Sequence, residues 1–212
     1  MQLVVDWDGT VTETDGLHSV LLEFGDERIF HEAETRLGSE LTLHDVIALE
    51  FQSVQAPLEQ VVAWVRENVR LREGFAAFAR QRQPQIVSSG FHELIEPVLE
   101  REGLELDVSA NRLDARPDGW RVLFRNAEPC PVCGEPCKRW DVAGLDGFVY
   151  VGDGFSDRCV ALAAARVFAR DGLAAYLAEQ GVPFETFGDF YEVERLLDGG
   201  AAPPTGSRGR KT

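Results

Sequence analysis

The sequence predicts an α/β fold: a Rossmann-like parallel sheet core with a helical cap inserted after the first strand. Three observations lead there. Short, largely apolar runs at Leu3–Val5, Gln85–Ser88 and Phe148–Val151 read as strands covered by helices on both faces. Each run leads into Asp, Ser or Gly, placing small polar groups at the carboxyl ends of strands, where open α/β sheets hold their ligands. Between the first two runs the pattern is helical throughout, far more chain than one crossover needs.

Leu3, Val4 and Val5 form the first strand, and Gly9 breaks it. Leu17, Val20, Leu21 and Phe24 then share one helical face until Gly25. A second helix runs from Asp26 to Leu37; Thr42 caps a third carrying Val46, Ile47 and Phe51; Pro57 opens a fourth carrying Val61, Trp64 and Val65. These helices make residues 14–72 the expected cap. The core resumes at Glu73 with a short helix to about Arg80, and a further helix, tolerating Pro97, follows the second strand from His92 to Glu102. Val108 to Phe124 reads as a hairpin turning at Arg116-Pro117-Asp118-Gly119, and a Cys-rich connector leads to Lys138. After the strand at Phe148–Val151, a helix is expected to continue through Ala161–Ala165. Strands Arg166–Ala169 and Phe184–Phe187 alternate with helices Gly172–Gln180 and Asp189–Leu197 and complete the parallel sheet. The core is thus residues 1–13 and 73–198, and the Gly- and Pro-rich tail 199–212 reads as disordered.

A net charge of −15 argues against nucleic acid and anionic membranes as partners, since both are polyanions. A small anionic substrate needs only local positive charge. No apolar run approaches the ~20 residues of a membrane span, and Met1 leads straight into the first strand without a basic, apolar leader, so the cytoplasm is the expectation. The basic residues are nearly all arginine; the lysines are Lys138 and Lys211, which makes the mid-chain Lys138 worth locating.

Asp6 and Asp8 lie two apart at a strand end and so face one crevice, unless the turn has already begun at Asp8. Two carboxylates there repel each other, and a bound hard cation such as Mg2+ keeps both ionised. Ser88, Lys138 and the pair Asp153 with Asp157 follow at later strand ends or connectors.

The string Asp6-Trp7-Asp8-Gly9-Thr10-Val11-Thr12 resembles the first motif of the haloacid dehalogenase superfamily, with Trp7 where Phe or Leu is commoner. Ser88, Lys138 and Asp153 with Asp157 resemble its other three motifs in order and spacing. The resemblance covers most of the core and implies a phosphatase working through an aspartyl-phosphate. Asp6 would be the nucleophile; Asp8 would protonate the leaving oxygen and then activate water. Mg2+ would be held by the Asp6 carboxylate, the Asp8 backbone carbonyl and Asp153, with Asp157 supporting from behind. Ser88 and the Ser89 N–H would bind phosphoryl oxygens, while Lys138 neutralises charge on Asp6 and phosphate. Asp8 speaks against dehalogenation, which needs no acid; a phosphotransferase or an inactive ligand-binding protein are the other readings of the scaffold.

The helical insertion, Val87-Ser88-Ser89-Gly90-Phe91 and Gly152-Asp153-Gly154-Phe155-Ser156-Asp157 resemble the phosphoserine-phosphatase-like branch. Leu71–Phe75, the cysteines before Lys138, Val167–Arg170 and Asp189–Val193 are similar to the methionine-salvage enol-phosphate phosphatases. Phosphoserine phosphatases hold the substrate carboxylate with a cap arginine, yet no Arg or Lys stands between Leu37 and Val65 here. Glu50 lies near that arginine's place, and Asp15 where those enzymes read the substrate ammonium. Phosphoserine is therefore expected to be a poor substrate, with neutral or cationic esters preferred; a phosphoserine or phosphocholine/phosphoethanolamine-type phosphatase is the alternative. Cys130-Pro131-Val132-Cys133-Gly134 resembles one knuckle of a zinc ribbon. Cys159, at a helix start, reads as a core thiol, so reduced thiols are expected, with structural Zn2+ at Cys130, Cys133 and Cys137 as the alternative. The histidines His18, His31, His44 and His92 lack ligand spacing and read as surface or packing residues.

Overall fold

The computed structural model describes residues 1–199. The tail expected to be disordered lies, from residue 200 onward, outside the described residues. Strand β1 (Leu3–Val5) is followed by helices α1 (Gly16–Phe24), α2 (Glu27–Arg36), α3 (Leu43–Gln52) and α4 (Leu58–Asn68). Then come α5 (Phe75–Arg82), β2 (Gln85–Phe91), α6 (His92–Arg101), β3 (Val108–Asp114) and β4 (Arg121–Leu123). The remainder is β5 (Val149–Gly152), α7 (Arg158–Ala161), β6 (Arg166–Ala169), α8 (Asp171–Gln180), β7 (Glu185–Thr186) and α9 (Phe190–Asp198).

Among the described residues the strands form one sheet in the order β4-β3-β2-β1-β5-β6-β7, parallel except for the antiparallel edge pair β3–β4. Central β1 pairs on both sides, Val5 with Ile86 and with Val151. Its alternation sends side chains to opposite faces. Val5 packs in the larger cluster with Ile86, Phe75 and Phe190, and Val4 in the second with Tyr150, Val160 and Leu173. Each such fully buried aliphatic contributes about 1.5–3 kcal/mol.

The four helices between β1 and β2 start where the capping chemistry asks. Asp15, Asp26 and Thr42 accept from backbone N–H groups of the first turns, and Thr42 with Asp45 completes a capping box. At the root of this block the entering and leaving segments pair: Arg72 N–H donates to Val11 O at 2.7 Å and Glu13 N–H to Arg70 O at 3.0 Å. No helix among the described residues is long and apolar enough to cross a membrane.

Two expectations are corrected. The helix expected through Ala161–Ala165 ends at Ala161, because the chain must turn at once into β6, and Ala165 N–H already donates to Phe148 O at 2.9 Å. The strand expected over Phe184–Phe187 pairs only at Glu185–Thr186, since Phe187 turns into the core against Phe190.

Candidate active site

Asp6 caps the end of β1, its N–H bonded to Val151 O at 2.9 Å. Residues 7–11 then make one tight turn, closed by Thr12 N–H donating to Trp7 O at 3.0 Å, in which Gly9 takes φ 74°. A side chain at Gly9 is excluded twice: by that φ, and because a Cβ would lie 2.5 Å from Asp153 Oδ2. Arg72 fastens the turn from outside, donating to the carbonyls of Gly9, Thr10 and Thr12 at 2.7, 2.8 and 3.0 Å.

Lys138, 2% exposed, donates Nζ to Asp6 Oδ1 and, at 2.7 Å, to Asp157 Oδ1. Burial works against its charge, but Asp157 and Asp6 overcome this and hold its pKa above the ordinary lysine value. Asp157 also accepts from Tyr150 Oη at 2.6 Å and from the Asp153 and Gly154 N–H groups at 2.9 Å each. Burial alone would raise its pKa; Lys138 and these donors bring it below the usual value. Asp6 is driven the other way, well above the ordinary carboxylate range, by burial first and Asp157 second, with Lys138 opposing. Asp153 accepts from Thr10 Oγ1 at 2.7 Å and is pushed up to about 6, mainly by burial and then by Asp157. Asp8 accepts from Gly16 N–H at 3.1 Å and Ser88 Oγ at 3.4 Å, and is pushed up to about 8 by burial, then by Asp15.

The structure thus gathers Asp6, Asp8, Ser88, Lys138, Asp153 and Asp157 at the carboxyl ends of β1, β2 and β5. Ser88 is fully buried, its Oγ accepting from Gly90 N–H at 2.8 Å, while Ser89 reaches the open space. That space is a cavity of about 220 Å³ between the strand ends and α1–α3. Asp6, Asp8 and Asp153 line its floor; Leu17, Leu21, Phe30, Leu43, Val46 and Ile47 line its walls. Asp15 and Glu50 both line it too, and Glu50 is 5% exposed with Oε1 unpaired. Burial, then Glu34 and Asp15, push Glu50 up to about 8. Among the described residues, no arginine or lysine lines this cavity. Arg36 pairs with Glu40 at 2.9 Å, Arg66 with Glu100 at 3.3 Å, and Arg72 is bound to the turn. A neighbouring cavity of about 300 Å³ shares Ser89, Phe155 and Ser156 and is lined by Lys138 and Arg125.

Several contributors lie beyond what the motifs suggested. Tyr150 looks in sequence like any strand residue, and Thr10, though it stands in the first motif, carries no sign there that it holds Asp153. Arg125 donates to Ser88 O at 2.8 Å while paired with Asp141 at 2.8 Å, fixing the β2 end from the hairpin's far side. Glu34 joins Asp15 and Glu50 from α2, and His18 lines the same cavity stacked on Phe30 at 4.2 Å. His44 similarly stacks on Phe124 at 3.8 Å.

Cys159 is buried and its thiol free, as expected of a core thiol, but it does not stand alone: its Sγ lies 3.8 Å from Cys130 Sγ, and those of Cys133 and Cys137 join them. The short helix of residues 138–142 packs on α7, which closes the sequence gap.

A mostly parallel sheet presents paired aspartates to a covered cavity, one of them held by a buried lysine, an arrangement suited to nucleophilic and acid–base chemistry. The chain belongs to the haloacid dehalogenase-like hydrolase family, whose model matches residues 3–162, and is an enzyme of that kind. It is 28% identical to a 2-hydroxy-3-keto-5-methylthiopentenyl-1-phosphate phosphatase of Lysinibacillus sphaericus, over 94% of this chain and 96% of that one. A protein of the same name from Geobacillus kaustophilus is also 28% identical, over 90% and 92%. Among solved structures, a phospho-aspartyl intermediate analogue of phosphoserine phosphatase superposes with a TM-score of 0.67 at 18% identity, covering 92% of this chain and 97% of that one, which shows the fold.

Proposed function

We propose that the chain is a phosphomonoesterase that passes the phosphoryl group through Asp6 and acts on the methionine-salvage enol-phosphate named for its relatives. One observation carries the reading. Asp6, where the ammonium of Lys138 opposes the burial that raises its pKa, stands two residues before Asp8, whose carboxyl has no such cation bonded to it and is pushed up to about 8 by burial. A carboxylate nucleophile thus has an acid beside it. Asp6 attacks phosphorus, Asp8 protonates the departing oxygen, and Asp8 then takes a proton from the water that opens the acyl phosphate. Ser88 and the Ser89 N–H hold phosphoryl oxygens, and Lys138 offsets the charge gathered on Asp6 and phosphate.

The donors suit a hard divalent cation. Asp6, Asp153 and Asp157 offer carboxylate oxygens within 4.8 Å of one another, and the ammonium of Lys138 leaves this buried group short of positive charge. Asp6, the Asp8 carbonyl and Asp153 would hold Mg2+, with Asp157 behind them; when bound, it keeps the carboxylates ionised and lets an anionic phosphate approach. Residues 14–72 act as a cap over the core of 1–13 and 73–198, excluding water from the reacting groups. The paired segments at their root support this division.

Apolar walls suit a thioether tail, Asp15 and Glu34 repel a substrate carboxylate, and Glu50, pushed up to about 8, offers it no countercharge. The acids favour a second reading, a cationic ester of the phosphocholine or phosphoethanolamine type. A panel of phosphorylated metabolites, assayed with Mg2+ and with EDTA, separates the readings. The enol-phosphate is expected to lead and L-phosphoserine to trail, with EDTA abolishing turnover. A kcat/KM for L-phosphoserine above every neutral or cationic ester would overturn the substrate assignment.

A further inference from the structure

We propose that Cys130, Cys133, Cys137 and Cys159 form a closed tetrathiolate site for one structural Zn2+ ion, which ties the connector carrying Lys138 to the turn carrying Asp157. All four thiols are free, and their sulfurs lie within 4.8 Å of one another. Zinc bonds thiolate sulfur at about 2.3 Å, so a tetrahedral site spaces its sulfurs about 3.8 Å apart. Cys130 and Cys159 already stand at 3.8 Å. The site therefore closes with small side-chain movements.

The backbone is shaped for a metal-binding turn. Gly134, at φ 79°, lets its N–H fold back on Cys130 O at 2.8 Å, while Cys130 N–H donates to Glu135 O at 2.9 Å. Val132 N–H points at Cys130 Sγ at 3.5 Å, a donor that favours sulfur in its thiolate form. This is a knuckle that wraps one sulfur and presents a second, Cys133, to solvent. Cys137, further along the same connector, and Cys159, in α7, complete the set. Four soft sulfur ligands select zinc over the hard cation suited to the aspartates, and with four protein ligands no position stays open for chemistry. Binding displaces the thiol protons and links the connector to α7, two segments that sequence keeps apart.

The consequence lies in positioning. Cys137 directly precedes Lys138, and Cys159 follows Asp157 by two residues, so the ion would brace both ends of the 2.7 Å Lys138–Asp157 ion pair. Arg139 Nη1 donates to Cys159 O at 3.0 Å across the same junction.

The test reads metal directly and is independent of the substrate. Full-length protein produced in zinc-supplemented medium, purified without chelator and dialysed, is analysed for metals; about one zinc per chain is expected. Titration with an organomercurial should release that zinc as roughly four thiols react. The metal-free wild-type chain, given Co2+ alone, should develop the visible bands and sulfur charge-transfer absorption of a tetrahedral thiolate site. Cys159→Ser should weaken zinc retention by roughly 100-fold or more. The Co2+ spectrum of the wild type decides the matter if that variant does not fold. Iron in place of zinc, a Cys130–Cys159 disulfide, four free thiols without metal, or full zinc retention by a folded Cys159→Ser chain would each overturn the proposal.

Discussion

Asp6 and Asp8 share a strand end but not their neighbours. Asp6 has the ammonium of Lys138, while Asp8 has a serine hydroxyl and one N–H, so the first suits attack and the second proton donation. Asp6→Asn is expected to abolish the phosphoryl-enzyme trapped by acid quench, whereas Asp8→Asn should still form it at a rate lower by about 10²–10⁴. Full turnover by Asp6→Asn would remove the nucleophile from the scheme. Glu50 gives a pH prediction. Its folded pKa of about 8 lies above the 4.5 of a free glutamate, so between those values the folded chain binds a proton that the unfolded chain has released. Stability contributed by this group is complete below 4.5 and is lost as pH rises to 8. Glu50→Gln removes that loss, and thermal melts should show a gain of a few degrees at pH 8 that shrinks toward pH 5, on the scale of ~1 kcal/mol. A gain that grows toward pH 5 would show that Glu50 is ionised in the folded chain. The aspartates were legible because strand-end carboxylates stand out beside glycine. Tyr150 and Thr10 were not, since a strand tyrosine aimed at Asp157 reads like one aimed at a neighbouring leucine.

Arg72 belongs to the segment leaving α4, yet it fastens the turn after β1 through three carbonyls. A guanidinium fork does this and a point charge cannot. Arg72→Lys should therefore lower stability by about 1.5–3 kcal/mol in denaturant unfolding and lower kcat in the folded fraction, because the turn that positions Asp8 loosens. Unchanged values for both would mean the turn holds its own shape. Elements with strong local signals were readable: Thr42 and Asp45 mark the start of α3 by reciprocal capping, and Asp15 and Asp26 mark two others. Those decided by distant pairing were not. The alanines after α7 favour helix locally, but Ala165 is claimed by Phe148 across the sheet. Cys159 likewise looked solitary because its partners arrive through packing between the connector and α7.

At the scale of the whole molecule, a net charge of −15 surrounds a site that must admit a phosphate dianion. The field opposes encounter, and salt screens it, the Debye length falling from ~30 Å at 0.01 M to ~8 Å at 0.15 M. The kcat/KM of a dianionic ester should therefore rise, by roughly two- to tenfold, across that range, and less for an ester that carries its own cation. A fall with salt would show that local positive charge governs approach. The order of strands was only partly legible, because which strands neighbour β1 depends on crossovers and not on β1 itself. That order also imposes a schedule. Leu3 pairs with Val149 and Val4 with both Gln85 and Tyr150, so the strand synthesised first acquires one flank only when the chain has grown past Gln85 and the other only past Val149. Until β5 emerges, β1 has one bare edge and Asp6 lacks the Val151 carbonyl that receives its N–H. While the chain grows from Gln85 to Val149, Asp6 thus stands at the end of a strand flanked on one side alone, and the centre of the sheet closes late.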